Sequence, residues 1–146
     1  MNITFDNHLS IEECKHLLGK EFTPDELYSR VDINQYCCKL SEKATFLQAK
    51  DDEGKCLGFI AYYINQEYAF VFITRIAVSG HCRHQGIGRQ MIEELAKVYL
   101  DSFEAIELEV EKTNESARKF YQSMGFNLKE DRNTKLLLTK NLKEKQ

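Results

Sequence analysis

The stretch Phe70-Val71-Phe72-Ile73-Thr74-Arg75-Ile76-Ala77-Val78, with the polar run 79–85 and Gly86-Ile87-Gly88 behind it, decides how the chain is arranged. Its first part is apolar at nearly every position, the pattern of a strand covered on both faces and central in its sheet. Its last part opens an amphipathic helix. Ile87, Met91, Leu95 and Val98 share one face, and Arg89, Gln90, Glu93, Glu94 and Lys97 the other. A buried strand feeding a glycine turn at a helix N-terminus leaves backbone N–H groups without helical partners, and the helix dipole adds partial positive charge. Such a turn is suited to hold an anion.

Upstream, residues 44–50 and 56–64 read as strands joined by the turn Asp51-Asp52-Glu53-Gly54-Lys55, and the central strand starts at Tyr68 after a turn at 65–67. Three adjacent strands with tight turns predict an antiparallel meander. Further upstream, Ser10 with Glu13 and Asp32 with Gln35 are capping boxes, which predict helices over 11–18 and 33–42. Downstream, residues 105–111 alternate cleanly. Ile106, Leu108 and Val110 define a buried face, and Glu107, Glu109 and Glu111 an acidic, solvated one. Strand, helix and strand in this order make a parallel crossover. Asn114 then caps a helix over 115–124, with Ala117, Phe120, Tyr121 and Met124 on one stripe and Gly125 at its end. Residues 127–129 and 135–140 suit a final hairpin. The expected fold is α/β (α+β), a single domain over residues 1–146 with a mixed, mostly antiparallel sheet flanked by helices.

Composition narrows the function. A net charge of −3 and a pI near 5.8 argue against a nucleic-acid surface. Five cysteines without C-x-x-C spacing suggest neither a disulfide framework nor a zinc site, and fit free thiols in a reducing cytosol. The opening residues lack the character of a signal peptide, and the apolar runs, broken by Arg75 or ended by Asn65, are too short for a membrane span. A cytoplasmic protein is expected.

Three kinds of glycine turn compete for the anion. A phosphate loop needs Gly-Lys-Ser/Thr after four residues, and none is present. A dinucleotide fingerprint needs a third glycine where Met91 stands, and a parallel strand in front. What remains is Arg83-His84-Gln85-Gly86-Ile87-Gly88, in which Arg83 adds a cation, the glycines admit close backbone approach, and Arg89 stands in the first helical turn. Arg83-x-x-Gly86-x-Gly88 after Ile76-Ala77-Val78 resembles the acetyl-CoA pyrophosphate motif of the GNAT superfamily of N-acetyltransferases. Leu108-Glu109-Val110 followed by Asn114-x-x-Ala117-x-x-Phe120-Tyr121-x-x-x-Gly125-Phe126 is similar to that family's second cofactor segment.

The resemblance implies the GNAT-like acyl-CoA N-acyltransferase fold, with acetyl-CoA as co-substrate and an amine as acceptor. The pantetheine arm would pair with the backbone of Ile76, Ala77 and Val78, as an added strand does, provided that the strand over 106–110 splays away. The pyrophosphate would rest on Arg83, His84, Gln85, Gly86, Ile87, Gly88 and Arg89, with Asn114 touching the pantetheine or the adenine side. Tyr121 would protonate the departing thiolate, since a phenol with a pKa of about 10 keeps its proton at neutral pH. Glu109, twelve residues earlier, would be the base that deprotonates the acceptor, although Glu107 and Glu111 share its face. Direct transfer needs no metal. Monomer and homodimer are both compatible, with neither nucleic acid nor membrane as partner. A non-catalytic acyl-CoA-binding or regulatory module of the same fold is the alternative. Residues 1–43 and the loops 65–67 and 131–134 would shape the acceptor side. Phe22-Thr23-Pro24 and Val31-Asp32-Ile33-Asn34-Gln35-Tyr36 resemble GNAT proteins of surface-polysaccharide synthesis, which would suggest an amino sugar; a protein N-terminus or small amine stays open.

Each residue also has a plainer reading. Asn114 serves equally as an N-cap, Tyr121 as a core aromatic, and Glu109 as part of a solvated strand face. His81, Cys82 and His84 lack a fourth ligand for a metal, and Cys82 lacks a neighbouring base for acyl carriage.

Overall fold

The structure, a computed structural model, describes residues 3–6, 44–79 and 86–143. The helices expected over 11–18 and 33–42, and the turn residues Arg83, His84 and Gln85, lie outside the described residues. Within them, one seven-stranded sheet runs in the order β1-β2-β3-β4-β5-β7-β6. The strands are β1 (Thr4–Asp6), β2 (Thr45–Lys50), β3 (Cys56–Asn65), β4 (Phe70–Val78), β5 (Ala105–Glu111), β6 (Asn127–Arg132) and β7 (Lys135–Asn141). Helix α1 (Ile87–Tyr99) links β4 to β5, and α2 (Glu115–Ser123) links β5 to β6. Among the described strands only the β4–β5 pair is parallel, so the sheet is mixed and mostly antiparallel, with the apolar strand β4 at its centre.

The core lies between the sheet and α1. Ile87, Met91, Ile92 and Leu95 are fully buried against Leu47, Ile60, Val71, Ile73, Ile106 and Leu108, each contributing about 1.5–3 kcal/mol. Val98, expected on this face, is 52% exposed. The buried stripe rotates along the helix and ends on Tyr99 instead. Its hydroxyl meets that of Tyr62 at 2.8 Å, and its ring packs edge-on against Tyr62 and Phe103.

Other boundaries moved for local reasons. Strand β4 starts at Phe70 rather than Tyr68, because Ala69 has φ 58°, a left-handed conformation that no strand continues through. The last hairpin is longer than expected, and its second strand, β7, inserts between β5 and β6. Strand β1 was not foreseen; three residues are too few to show a period, and it is the pairing of Phe5 with Ala49 that defines it.

Candidate active site

The site is made by a strand pair that separates. Ala61 pairs with Arg75 while the next residue, Tyr62, pairs with Ile73, so Thr74 is an extra residue bulged out of β4. A bulge bends its strand and increases the local twist. The parallel ladder with β5 runs from Phe70↔Ala105 to Ile73↔Leu108 and stops where the bulge begins. Beyond it β4 stays with β3 as far as Val78, while β5 stays with β7 as far as Glu111. The fork encloses a cavity of about 140 Å³ lined by Ile73, Thr74, Arg75, Ile76, Leu108, Glu109 and Tyr121. The structure thus brings Glu109, Tyr121 and Ile76 together around one opening, and leaves the Ile76–Val78 backbone outside the β5 ladder.

Glu109 accepts a hydrogen bond from the Arg132 guanidinium at 3.0 Å, and Arg132 also reaches Glu130 at 3.2 Å. Of the three glutamates on this strand face, Glu109 alone lines the fork. Glu107, expected in solvent, is only 4% exposed and bound to Lys129 at 2.7 Å. The returning hairpin covers it, a contact 22 positions away that strand alternation cannot reveal. Glu111 is exposed at the strand's end.

Tyr121 sits near the end of α2, its ring edge-on against Phe120 and Phe126 at 5.3 and 5.6 Å. Burial pushes its phenol above the ordinary tyrosine range, which keeps the O–H protonated at neutral pH. The helix end is fixed by the Phe126 N–H donating to the Tyr121 carbonyl at 3.0 Å and by Lys140 donating to the Met124 carbonyl at 2.7 Å.

At the other end of β4, Gly86 is the N-cap of α1 with φ 78°, and no side chain among the described residues caps the helix. The first turn carries no acidic residue. A Cβ on Gly86 would meet open space, and one on Gly88 would come no nearer than 3.6 Å to Phe120. Internal packing therefore does not require glycine at position 88, whereas close approach of a ligand to the backbone would. The described part of this turn fits a phosphate-bearing cofactor: a helix N-terminus with no side-chain cap among the described residues, a favourable dipole and glycines at positions 86 and 88. Arg89 is drawn sideways to Ser123 Oγ at 2.9 Å, with its guanidinium 5.9 Å from the Phe120 ring centre. Asn114 does cap α2, its Oδ1 accepting from the Ala117 N–H at 3.1 Å.

Sequence reasoning places Arg132 only within the loop 131–134, without singling it out, and misses Thr74 and Gly58. Gly58 faces Val78 across β3–β4, where a Cβ would stand 2.7 Å from the Ala77 carbonyl oxygen and 3.2 Å from Met91 Cε. No local motif marks such contacts; each joins residues far apart in the chain.

The acetyltransferase (GNAT) family matches residues 11–126, and the chain belongs to that family. No curated protein matches it at a significant level. Among solved structures it is similar to the alanine N-acetyltransferase of ribosomal protein S18 from Escherichia coli, with 18% identity, TM-score 0.77, and 99% of this chain and 97% of that one covered. The PaiA N-acetyltransferase of Thermoplasma acidophilum, in complex with coenzyme A, has 19% identity and TM-score 0.69 over 97% and 99% of the two chains. A chimera of the Vibrio cholerae spermidine N-acetyltransferase has 15% identity and TM-score 0.77 over 96% and 95%. These likenesses are of fold. No helix among the described residues is long and apolar enough to cross a membrane.

Proposed function

We propose that this protein transfers the acetyl group of acetyl-CoA to a primary amine by direct attack, with Glu109 as base and Tyr121 as acid. The observation that carries this reading is the fork itself: β4 leaves β5 at Thr74, and the opening is lined by one carboxylate and one half-buried phenol. The turn at Gly86–Gly88, completed by Arg83, His84 and Gln85, would hold the pyrophosphate, and the free edge of Ile76–Val78 the pantetheine arm. Acetyl-CoA supplies the activated acyl group. An alkyl amine with a pKa of about 10.4 arrives protonated. Glu109 takes that proton, the nitrogen bonds to the acetyl carbon as the C–S bond breaks, Tyr121 gives its hydroxyl proton to the departing sulfur, and the acetylated nitrogen passes its surplus proton to the tyrosinate so formed, which leaves a neutral amide, a free thiol and the phenol restored. The acceptor side would be formed by residues 1–43 and by the loop 65–67, which lines one cavity together with Arg132.

The test is incubation with acetyl-CoA and a panel of amines, amino sugars and short peptides, following free thiol. Tyr121→Phe and Glu109→Gln are each expected to lower kcat by 10²-fold or more, the range for general acid–base groups, with coenzyme A affinity unchanged. Stabilisation by coenzyme A without thiol release from any amine would make the protein a binding module. Unchanged rates in both variants would remove the roles assigned.

A further inference from the structure

Two larger cavities, of about 480 and about 880 Å³, lie on the acidic side of β5. Both are lined by Phe70, Glu107, Arg132 and Leu137, so they form one groove. Phe72 lines it too and pairs with Glu107 one step before Ile73↔Leu108, the last pair before the fork, so the groove runs up to the fork. Among its charged groups Glu67, Glu104, Glu107 and Glu130 outnumber Lys129, Arg132 and Lys143, which makes it net acidic. Glu107 is the buried one. Its side chain is 6% exposed, Lys129 engages its Oε2 at 2.7 Å, and its Oε1 accepts no hydrogen bond from a described residue. The same ammonium stands 5.9 Å from the Phe70 ring centre. A carboxylate beside an aromatic face suits a primary ammonium, and the chain has filled that place with one of its own. Lys129 is replaceable there. It is the extra residue of a bulge in β6, where Leu128 pairs with Leu138 and Glu130 with Leu137, and its side chain is 51% exposed.

We infer that Glu107 and Phe70 form a second ammonium subsite, so that the acceptor is a linear diamine: one amine reacts at Glu109 while the other takes the place of Lys129 on Glu107. The inference rests on the reading of Glu109 as the proton acceptor. Glu107 and Glu109 share one face of β5 two residues apart, about 6.6 Å along a strand, a span that a short aliphatic chain bridges. The chain between the two amines would lie along Phe72, which stands opposite Glu107 where the groove meets the fork. Lys129, once displaced, remains on a groove whose lining includes Glu104 and Glu130, and the surplus of carboxylates offsets the charge that the second ammonium brings in. Glu107 is a specificity-determining residue here, not a catalytic one.

The experiment compares kcat/KM for a linear diamine and for the amino alcohol of equal length. The wild type should favour the diamine about tenfold, the low end for a hydrogen bond to a charged group because Lys129 must be released. In Glu107→Gln that preference should fall to the statistical advantage of two equal ends. Phe70→Leu, which keeps the carboxylate, should lose part of it, and Lys129→Met, which vacates the place, should raise it. A second readout needs no turnover. Lys129→Met leaves the buried carboxylate without its ammonium, so the diamine should raise the unfolding temperature of that variant more than that of the wild type. The diol of equal length should raise neither. An undiminished diamine preference in Glu107→Gln, or no stabilisation of Lys129→Met by the diamine, refutes the subsite whatever Glu109 does. Full kcat in Glu109→Gln refutes the base and with it the pose of the reacting amine, while stabilisation of Lys129→Met by the diamine still supports the subsite.

Discussion

Two glycines that both lie against Val78 are expected to fail in different ways when each gains one methyl group. At position 58 the new carbon would stand 2.7 Å from the Ala77 carbonyl oxygen, 3.2 Å from Met91 Cε and 3.3 Å from Val78 Cα. An ordinary C···O approach is about 3.3–3.6 Å, so β3 and β4 must part by more than half an ångström beside the Ser79 N–H···Leu57 hydrogen bond, and Met91 must shift. Overpacking of this kind costs about 1–3 kcal/mol. At about 2–4 °C per kcal/mol for a chain of this size, Gly58→Ala should lower Tm by about 2–12 °C. At position 88 the carbon meets Phe120 at 3.6 Å and Val78 at 3.9 Å, ordinary contacts. Gly88→Ala should leave Tm unchanged or slightly raised, since alanine is the better helix former by up to about 1 kcal/mol. Its effect should fall on coenzyme A, because the methyl group blocks approach to the uncapped helix N-terminus. Losing one charge-assisted hydrogen bond, about 1.5–3 kcal/mol, weakens binding by about 10- to 150-fold. Thermal unfolding and calorimetric titration with coenzyme A read the two quantities separately. Gly88→Ala binding like the wild type, or Gly58→Ala melting like it, would refute the reasoning.

Other outcomes follow from particular contacts. Gly86→Ala adds no clash but holds a Cβ at φ 78°, so it should cost about 1–2 kcal/mol, and chemical denaturation should show a smaller loss with asparagine. Lys129→Met removes the ammonium 2.7 Å from the buried Glu107 carboxylate and should cost about 1–3 kcal/mol. Adding Glu107→Gln should recover part of that, and equal losses in the single and double variants would mean the pair is not coupled. Burial, and next the Tyr99 hydrogen bond, push the Tyr62 phenol far above the ordinary range, and burial alone raises Tyr121. The unfolded chain therefore releases these protons first, so stability is intact below about pH 10 and falls as pH rises beyond it. Tyr62→Phe should flatten that alkaline slope while costing about 1 kcal/mol at neutral pH for the lost bond to Tyr99; an unchanged slope in alkaline denaturation would rule the linkage out.

Much of this was open to inspection in the residues alone. Alternation over Ala105–Glu111, the stripe of Ile87, Met91 and Leu95, and the Asn114 cap are local signals, and the structure reproduces them. They work because a strand or helix turns its side chains with a fixed period, so one buried face is written directly into the order of residues. The two cofactor-like segments were legible as sequence, since each is a run of near neighbours, the first spanning the passage from β4 to α1 and the second that from β5 to α2. The exceptions share one cause. Glu107 has the right period to face solvent and is buried because Lys129 and its hairpin cover it. Val98 is in phase with the core but yields its place to Tyr99, which finds Tyr62.

Local pattern therefore settled β2 to β7, the two helices between them, their order and the apolar centre at β4, since these depend on neighbours within a few residues. The fork could not be read that way. It arises because Thr74 is one residue too many against β3, while β5 keeps its register with β7, and a register is a relation between strands rather than a property of either. The same holds for Arg132 on Glu109, 23 residues apart, and for the open side of Gly88. Tertiary packing chose which of three similar glutamates lines the fork, because only it decides where two diverging strands leave a space.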